Sequence, residues 1–222
     1  LSDAVVALTG GEFEARLEGR PVSWYESFLA RAGQVLETQG IVRGFRGYLA
    51  IGGGIDVPVL LRSRSTCLAA EFGGYRGRRL AAGDVLAAGF CPTPGLVGCA
   101  APPRWHFHRE DPATVRVLMG PQDDAFTDEG QHTFLSAVYR VTPDVDRMGC
   151  RLDGPAITHR SGADIISDWI PLGGVQVPGS GKPIILLADR QTTGGYTKIA
   201  TVIGPDLGLV AQSQPGDALR FQ

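Results

Sequence analysis

The densest group of polar side chains in the sequence lies between two apolar segments near the C-terminus. Residues 188–198, Ala-Asp-Arg-Gln-Thr-Thr-Gly-Gly-Tyr-Thr-Lys, follow the apolar residues 184–187 and precede the mainly apolar residues 199–203. A hairpin would need only a turn, yet this segment carries an acid, two cations, an amide, three threonine hydroxyls and a phenol. Because such groups beside two glycines can surround a polar, anionic ligand, the segment predicts a binding site.

Two further groups of charged residues precede this segment. Asp164 and Asp168 are four residues apart, so on a strand or on a helix both carboxylates fall on nearly the same face. Paired acids of this kind can hold magnesium or move a proton, and a solvated edge explains them equally well. Arg147 and Arg151 lie on either side of Gly149 and form a cationic patch, which could bind a carboxylate or pair with those acids.

Other motifs that could carry chemistry are weaker. Residues 52–54 are three glycines without the rest of a dinucleotide-binding fingerprint, and they predict a turn. Residues 179–183 lack the first glycine and the Ser/Thr of a P-loop, so they predict a hairpin turn. His106 and His108 form a pair with no third ligand fixed by the sequence, and no metal ligand is assigned. The sequence contains no G-x-S-x-G nucleophile elbow.

The elements that must position these residues are predicted to be mainly strands. Glycine (31) and proline (15) are abundant and the apolar stretches between them are short, which favours strands and tight turns. The predicted strands are residues 13–17, 48–51, 57–61, 115–118, 175–177, 184–188 and 199–203. Helices are predicted only over residues 123–139 and 63–70.

The distribution of proline predicts two units. Five prolines lie between Cys91 and Pro112 and favour a connector. We therefore expect a first β-rich unit over residues 1–90, a connector over 91–112 and a second β-rich unit over 113–222. Because Leu1 is not a methionine and residues 4–8 resemble a strand already under way, we expect the N-terminal part of the first unit to be missing.

The composition argues against several functional classes. A formal net charge of −2 and a pI near 6.1 provide no basic excess, so no nucleic-acid partner is expected. No apolar run approaches the ~20 residues of a membrane helix, so no membrane partner is expected either. The four cysteines are widely spaced and include no C-x-x-C pair, which favours reduced thiols and a cytoplasmic location.

Several motifs taken together resemble one family. They are residues 44–50, 52–56, 63–66, 120–126, 146–149, 162–168 and 187–196. In combination they resemble the allophanate hydrolase subunit 2 family, which is related to biotin-dependent carboxyltransferases, over essentially the whole chain. The resemblance is closest to the 5-oxoprolinase branch, which also includes kinase-inhibitor antagonists. Thr197 stands where this family has proline and Trp169 where it has a small residue, and neither change removes a polar group.

The resemblance implies a fold, partners and an activity. The fold is a cyclophilin-like β-barrel, in agreement with the predicted strands. The partners are the B subunit of 5-oxoprolinase (the allophanate hydrolase subunit 1 or kinase-inhibitor-like protein) and its A subunit. Such an assembly uses ATP, with magnesium shared with the partner, to open the lactam ring of 5-oxoproline to glutamate. The chain has no biotin-attachment sequence, so no covalently attached biotin is expected.

Two alternative functions follow from the same resemblance. One is the carboxyltransferase part of a biotin-dependent carboxylase acting on urea or allophanate. The other is a non-enzymatic regulator that binds a kinase-inhibitor-like partner.

The resemblance also implies roles for the candidate residues. Cations are needed for phosphates and for a substrate carboxylate, acids would position magnesium or polarise the amide nitrogen, and uncharged polar groups would donate hydrogen bonds. The predicted catalytic residues are Asp189, Arg190, Asp164 and Lys198. The predicted substrate-binding residues are Gln191, Thr192, Thr193, Gly194, Gly195, Tyr196, Arg147 and Asp168.

Overall fold

Glycine-rich turns and short apolar segments fold into a mainly β protein, which confirms the fold class predicted from the sequence. The computed structural model describes residues 2–91, 94–103 and 110–222. They form two compact units, of which the first comprises residues 2–43 and 47–103 and the second comprises 44–46 and 110–222. The connector predicted over residues 91–112 lies partly outside the described residues, and the predicted domain boundaries stay a prediction.

The first unit is built on two long antiparallel strands. Its strands are β1 (Ala4–Leu17), β2 (Arg20–Pro21), β3 (Ser27–Ala30), β4 (Leu36–Ile51), β5 (Thr66–Cys67) and β6 (Phe72–Gly73). β1 pairs with β4 along almost its whole length, with register shifts around Glu12 and Phe13. The alternation over residues 13–17 therefore belongs to a longer strand, whose Val6, Leu8 and Ala15 are buried.

The second unit is built on one open sheet. Its strands are β7 (Ala113–Val115), β8 (Val117–Met119), β9 (Val138–Val145), β10 (Gly149–Asp153), β11 (Asp164–Trp169), β12 (Gly174–Gln176), β13 (Ile184–Leu186), β14 (Thr193–Tyr196), β15 (Lys198–Val202) and β16 (Ala218–Phe221). Eight of them form a curled half-barrel in the order β7-β16-β9-β10-β13-β12-β15-β8. β11 and β14 form a separate antiparallel pair, which we call the ribbon.

One face of the sheet packs on the hydrophobic core. Phe134, on the helix α1 (Asp128–Ser136), stacks on Phe221 of β16 with ring centroids 4.3 Å apart. Burial raises the pKa of Tyr139, beside the same ring, to about 12. On β10, Cys150 and Leu152 are buried whereas the alternate residue Arg151 is exposed. This period of two separates a core face from a second face of the sheet, and the second face carries polar side chains.

Two predicted helices differ from the observed elements. α1 ends at Ser136, and Tyr139 of the predicted helix lies on β9. The helix begins after Thr127, whose side chain caps it by accepting a hydrogen bond from the N–H of Gly130 at 2.9 Å. The helix predicted over residues 63–70 is wrong, because this segment contains β5. A second short helix, α2 (Leu207–Ala211), was not predicted.

The strand predicted over residues 57–61 is also wrong. Leu61 and Arg62 have φ angles of +49° and +64°, which lie in the left-handed region and end any strand pairing. Only an isolated bridge joins Leu60 to Ser63. The two glycine-rich turns are confirmed, since the N–H of Gly54 donates to the carbonyl of Ile51 at 2.8 Å and residues 179–183 join the paired β12 and β13.

Candidate functional site

The second face of the sheet carries a row of cross-strand neighbours. Arg151 on β10 lies opposite Ile184 on β13, Ile184 lies opposite Gln176 on β12, and Gln176 lies opposite Lys198 on β15. Directly opposite residues share a face of the sheet, and adjacent strands are about 4.8 Å apart, so the row is about 14 Å long. It places a guanidinium, an aliphatic side chain, an amide and an ammonium group in one line.

The ribbon lies against this row. The side-chain Nε2 of Gln176 donates to the carbonyl of Tyr196 at 3.5 Å. A Cβ at Gly194 would approach Ile170 Cδ1 to 2.7 Å and Gln176 Nε2 to 3.0 Å, so a larger residue there would displace the ends of these two side chains. Gly194 therefore allows a close approach of the ribbon backbone to Gln176 of the sheet.

Two cavities open beside the ribbon. The smaller has a volume of about 490 Å³ and the larger about 820 Å³. Gln176, Gln191 and Tyr196 line both of them. Asp164 lines only the smaller cavity and Arg151 only the larger. Amide, carboxylate, phenol and guanidinium groups thus surround space of a size suited to a small polar molecule.

A buried lysine joins the ribbon to the sheet. Lys198 is fully buried, and its Nζ lies 3.4 Å from Oδ2 of Asp168, a carboxylate that is half exposed. The N–H of Trp169 donates to the other carboxylate oxygen at 2.7 Å. This N–H, and after it the ammonium group of Lys198, hold the pKa of Asp168 below its ordinary value. Gln122 also donates to Asp168, at 3.3 Å.

Three further charged residues of the predicted site contact groups of the protein itself. Arg147 donates from Nε and Nη2 to the two oxygens of Asp189 at 2.7 and 2.9 Å, and this pair lowers the pKa of Asp189. Arg147 therefore pairs with Asp189 and not with Asp164 or Asp168, the acids that the sequence offered as partners. Arg190 donates from Nε to the carbonyl of Ile170 at 3.1 Å, so its guanidinium holds backbone in place.

The polar segment is not the single loop that the sequence predicted. β12 lies between β13 and β15, so the strands before and after the segment are not neighbours, and the segment itself contains β14. The predicted residues Gln191, Gly194, Gly195 and Tyr196 line the smaller cavity with Asp164. Thr193 pairs with Trp169 within the ribbon, and the carbonyl of Thr192 accepts from the N–H of Ile170.

A register shift on the ribbon separates the surroundings of Asp164 from those of Asp168. Asp164 lies opposite Tyr196 and Asp168 opposite Gly194, so four steps along β11 match only two along β14. This irregularity interrupts the period of two on which the prediction rested. Asp164 lines the smaller cavity, whereas Asp168 contacts Lys198.

Sequence reasoning missed Gln176 and Gln122. Gln176 is buried between Val175 and Val177, both of them fully buried, and an amide inside an apolar run is a signal that could have revealed it. Gln122 accepts from the N–H of Lys198 at 3.1 Å, and its own N–H donates to the carbonyl of Lys198. Nothing in its sequence neighbourhood indicates that contact, because it joins residues 76 positions apart.

The described residues do not form a ready-made site for a nucleotide triphosphate or its metal ion. Lys198 is buried against Asp168, the more than half exposed Arg147 is paired with Asp189, and Arg190 contacts backbone carbonyls. Each of the three predicted cations therefore already has a protein partner. Among residues 2–91, 94–103 and 110–222 there is no group of three or more His, Cys, Asp or Glu side chains arranged to hold a metal ion. His106 and His108 lie outside those residues.

Comparison with known proteins identifies the family. The family model described as Carboxyltransferase domain, subdomain A and B, matches residues 1–222. The chain belongs to this carboxyltransferase family. It is 38% identical over 221 residues to the C subunit of 5-oxoprolinase from Haemophilus influenzae and 35% identical over 220 residues to the C subunit of 5-oxoprolinase from Escherichia coli. In both comparisons the match covers 99% of this chain and 69% of the relative.

Solved structures place the same carboxyltransferase fold in longer chains. The urea amidolyase of K. lactis matches with a TM-score of 0.90 at 30% identity, covering 99% of this chain and 14% of that one. A crystal structure of TTHA0988 matches with a TM-score of 0.87 at 38% identity, covering 100% of this chain and 42% of that one. This chain therefore spans less than half of either solved protein. Across the described part of the chain, no helix has the length and apolarity to cross a membrane.

Proposed function

We propose that this chain acts as the C subunit of a 5-oxoprolinase, an assembly that couples ATP hydrolysis to opening the lactam ring of 5-oxoproline to glutamate. The observation that carries the proposal is the identity of 38% and 35%, over nearly the whole chain, with two proteins named as the C subunit of 5-oxoprolinase. The cavities beside the ribbon support it, because their polar groups suit a small amide.

The lactam amide has one hydrogen-bond donor and one acceptor, and the cavity walls offer partners for both. The side-chain amides of Gln176 and Gln191 can each donate to the lactam oxygen and accept from the lactam N–H. The carboxylate of Asp164 accepts only, so it suits the N–H of the ring. Donors directed at the lactam oxygen stabilise the charge that develops on it when the ring is attacked.

We place ATP and magnesium with the partner subunits of the assembly. Three cations of this chain that could have held phosphates already have partners: Arg147 contacts Asp189, Lys198 contacts Asp168, and Arg190 contacts backbone. The contribution of this chain is then to bind and orient the amide, and the A and B subunits supply the phosphate chemistry and complete the ring opening. A site shared between subunits also agrees with the naming of both relatives as subunits.

The proposal is tested by 5-oxoproline-dependent ATP hydrolysis in a mixture of this protein with the A and B subunits. Activity is expected only when all three are present and 5-oxoproline is supplied. Asp164→Asn should lower activity roughly tenfold or more, because it adds a donor where the lactam presents one. Turnover that continues when this chain is omitted would exclude the proposed role.

A carboxyltransferase acting on urea or a related amide is the second candidate. The TM-score of 0.90 with the urea amidolyase of K. lactis favours it. This alternative requires a carboxylated biotin carrier as the donor. It predicts transfer of labelled carboxylate to urea when such a carrier is added and no dependence of ATP hydrolysis on 5-oxoproline.

A further inference from the structure

The larger cavity contains a cation that none of the roles above uses. Arg151 lines this cavity from β10, and its guanidinium makes no hydrogen bond or ion pair with the residues that the structure describes. The three cations predicted to hold anions, by contrast, are engaged: Arg147 by Asp189, Lys198 by Asp168 and Arg190 by backbone. An arginine that faces a cavity without an internal partner is suited to an anionic ligand.

The position of Arg151 relative to Gln176 determines which groups of a ligand the two side chains can contact together. The two residues lie two strands apart in the cross-strand row, with Ile184 between them. Their backbones are therefore about 10 Å apart, and both side chains line the same cavity. A ligand that bridges the two residues would place its carboxylate at Arg151 and its amide at Gln176. In 5-oxoproline a single carbon joins the carboxylate to the lactam nitrogen, so the long side chain of Arg151 has to extend over Ile184 towards Gln176.

Two acids in the same cavity restrict where a carboxylate can bind. Asp144 and Asp146 also line it. Asp146 is held in a turn, since its Oδ1 accepts from the N–H groups of Met148 and Gly149 at 2.8 and 3.0 Å. Because β9, which carries Asp144 and directly precedes Asp146, pairs with β10, these carboxylates lie on the β9 side of Arg151. Like charges repel, so a bound carboxylate is favoured on the opposite side of the guanidinium, towards Ile184 and Gln176.

We infer that Arg151 binds the carboxylate of the substrate and thereby selects amides that carry a carboxylate over neutral amides such as urea. This inference rests on the proposed function for the identity of the amide, and it specifies the substrate class of the same site. A planar guanidinium donates two parallel hydrogen bonds to a carboxylate, which fixes the orientation of the ligand as well as its affinity.

The test measures equilibrium binding to the full chain by titration calorimetry without ATP. The two ligands are 5-oxoproline and 2-pyrrolidinone, which has the same lactam ring without the carboxylate. The wild-type chain should prefer 5-oxoproline. Arg151→Met should lower its affinity for 5-oxoproline about 10- to 100-fold and leave its affinity for 2-pyrrolidinone unchanged. Arg151→Lys should retain part of the preference, because it keeps the charge and loses the two-point geometry.

Arg140→Met provides the matched control. Arg140 is an exposed arginine on β9 that does not line either cavity, and its Nη1 donates to the carbonyl of Gly216 at 3.2 Å. This variant should bind both ligands as the wild type does. Equal wild-type affinity for the two ligands, or an Arg151→Met variant that retains the preference, would overturn the inference. Failure of the proposed function is recognised separately, as a complete assembly that binds 5-oxoproline without hydrolysing ATP.

Discussion

Some charged residues of the second unit hold its elements in place, and others are available to a ligand. The buried Lys198 and the exposed Arg151 illustrate the two roles. Lys198 is fully buried and reaches a single half-exposed carboxylate, Asp168, at 3.4 Å. Removing a charge from water costs more than one long ion pair returns, so this lysine contributes little net stability. Its effect is geometric, because it fixes Asp168 and with it the ribbon beside the cavities. Arg151, which is exposed and has no internal partner among the described residues, is available to a ligand.

Asp206 is a residue whose role is stability, and it gives the first prediction. Its carboxylate is buried and accepts from Arg116 through the backbone N–H at 2.8 Å, Nε at 3.0 Å and Nη2 at 2.6 Å. Asp206→Asn replaces an accepting oxygen by a donor that faces other donors. We expect a loss of about 2 kcal/mol in the free energy of unfolding, measured by urea denaturation at pH 7. An unchanged midpoint would contradict this interpretation of the contacts.

The same residue predicts a dependence of stability on pH. Hydrogen bonds from Arg116 hold the pKa of Asp206 below its ordinary value of 3.8 in the folded protein. A carboxyl whose pKa is lower when folded stabilises the fold fully above the unfolded pKa, and this contribution is lost as the pH falls through the folded pKa. The unfolding free energy of the wild type should therefore fall more steeply below about pH 4 than that of Asp206→Asn. Parallel curves for the two proteins would argue against the coupling.

At the residue scale, the predicted site residues stay a prediction, and the structure shows what several of them contact. Gln191, Gly194, Gly195, Tyr196 and Asp164 line one cavity. The partners of the charged residues could not be predicted, because an ion pair such as Arg147 with Asp189 depends on which strands become neighbours in space. Residue types indicate which chemistry is available, and only the fold decides which groups meet.

At the scale of elements, the ribbon gives the next prediction. Gly194→Ala would introduce a Cβ that meets Ile170 and Gln176, the ends of two side chains that can move. We expect the fold to survive with a loss of about 1 kcal/mol, while the displaced amide of Gln176 raises the KM for 5-oxoproline roughly tenfold. Steady-state kinetics of the assembled enzyme and a thermal unfolding curve measure the two effects.

A second glycine provides the control for this variant. Gly208 lies in α2, and a Cβ there meets nothing within 4 Å. Gly208→Ala should leave KM unchanged and stabilise the chain slightly, since alanine is the better helix former. If Gly194→Ala also leaves KM unchanged, the amide of Gln176 does not contact the substrate.

Strands were predicted well where an apolar run is followed by a turn, as at residues 184–188. They were predicted poorly where left-handed backbone angles prevent an apolar run from forming a strand. The run 57–61 is apolar enough for a strand, but Leu61 and Arg62 adopt left-handed φ angles, which the sequence does not disclose. The helix over residues 123–139 was placed correctly in its middle. Its end was missed because Tyr139 is fully buried on β9, where tertiary packing outweighs helix propensity.

At the scale of the whole molecule, the cations near the cavities are largely paired with other groups of the described residues. The formal net charge is −2, and three of the described cations near the cavities, Arg147, Lys198 and Arg190, have internal partners. A triphosphate with magnesium binds where several cations or backbone N–H groups converge. The cavities of the open sheet instead combine the guanidinium of Arg151 with uncharged polar groups and with the carboxylates of Asp144, Asp146 and Asp164. We expect such a set to suit a small amide better than a triphosphate, whose several negative charges the three acids would repel.

The corresponding prediction is that the isolated chain binds no MgATP. Titration calorimetry at millimolar nucleotide should give no saturable heat, because Lys198 is buried and the guanidinium groups of Arg147 and Arg190 are engaged. The assembly with the A and B subunits should bind and hydrolyse MgATP under the same conditions. Saturable binding to the isolated chain that is lost in Arg190→Met would show instead that this guanidinium leaves the backbone carbonyls for phosphate. That result would return ATP to this chain and make the polar segment of residues 188–198 its site.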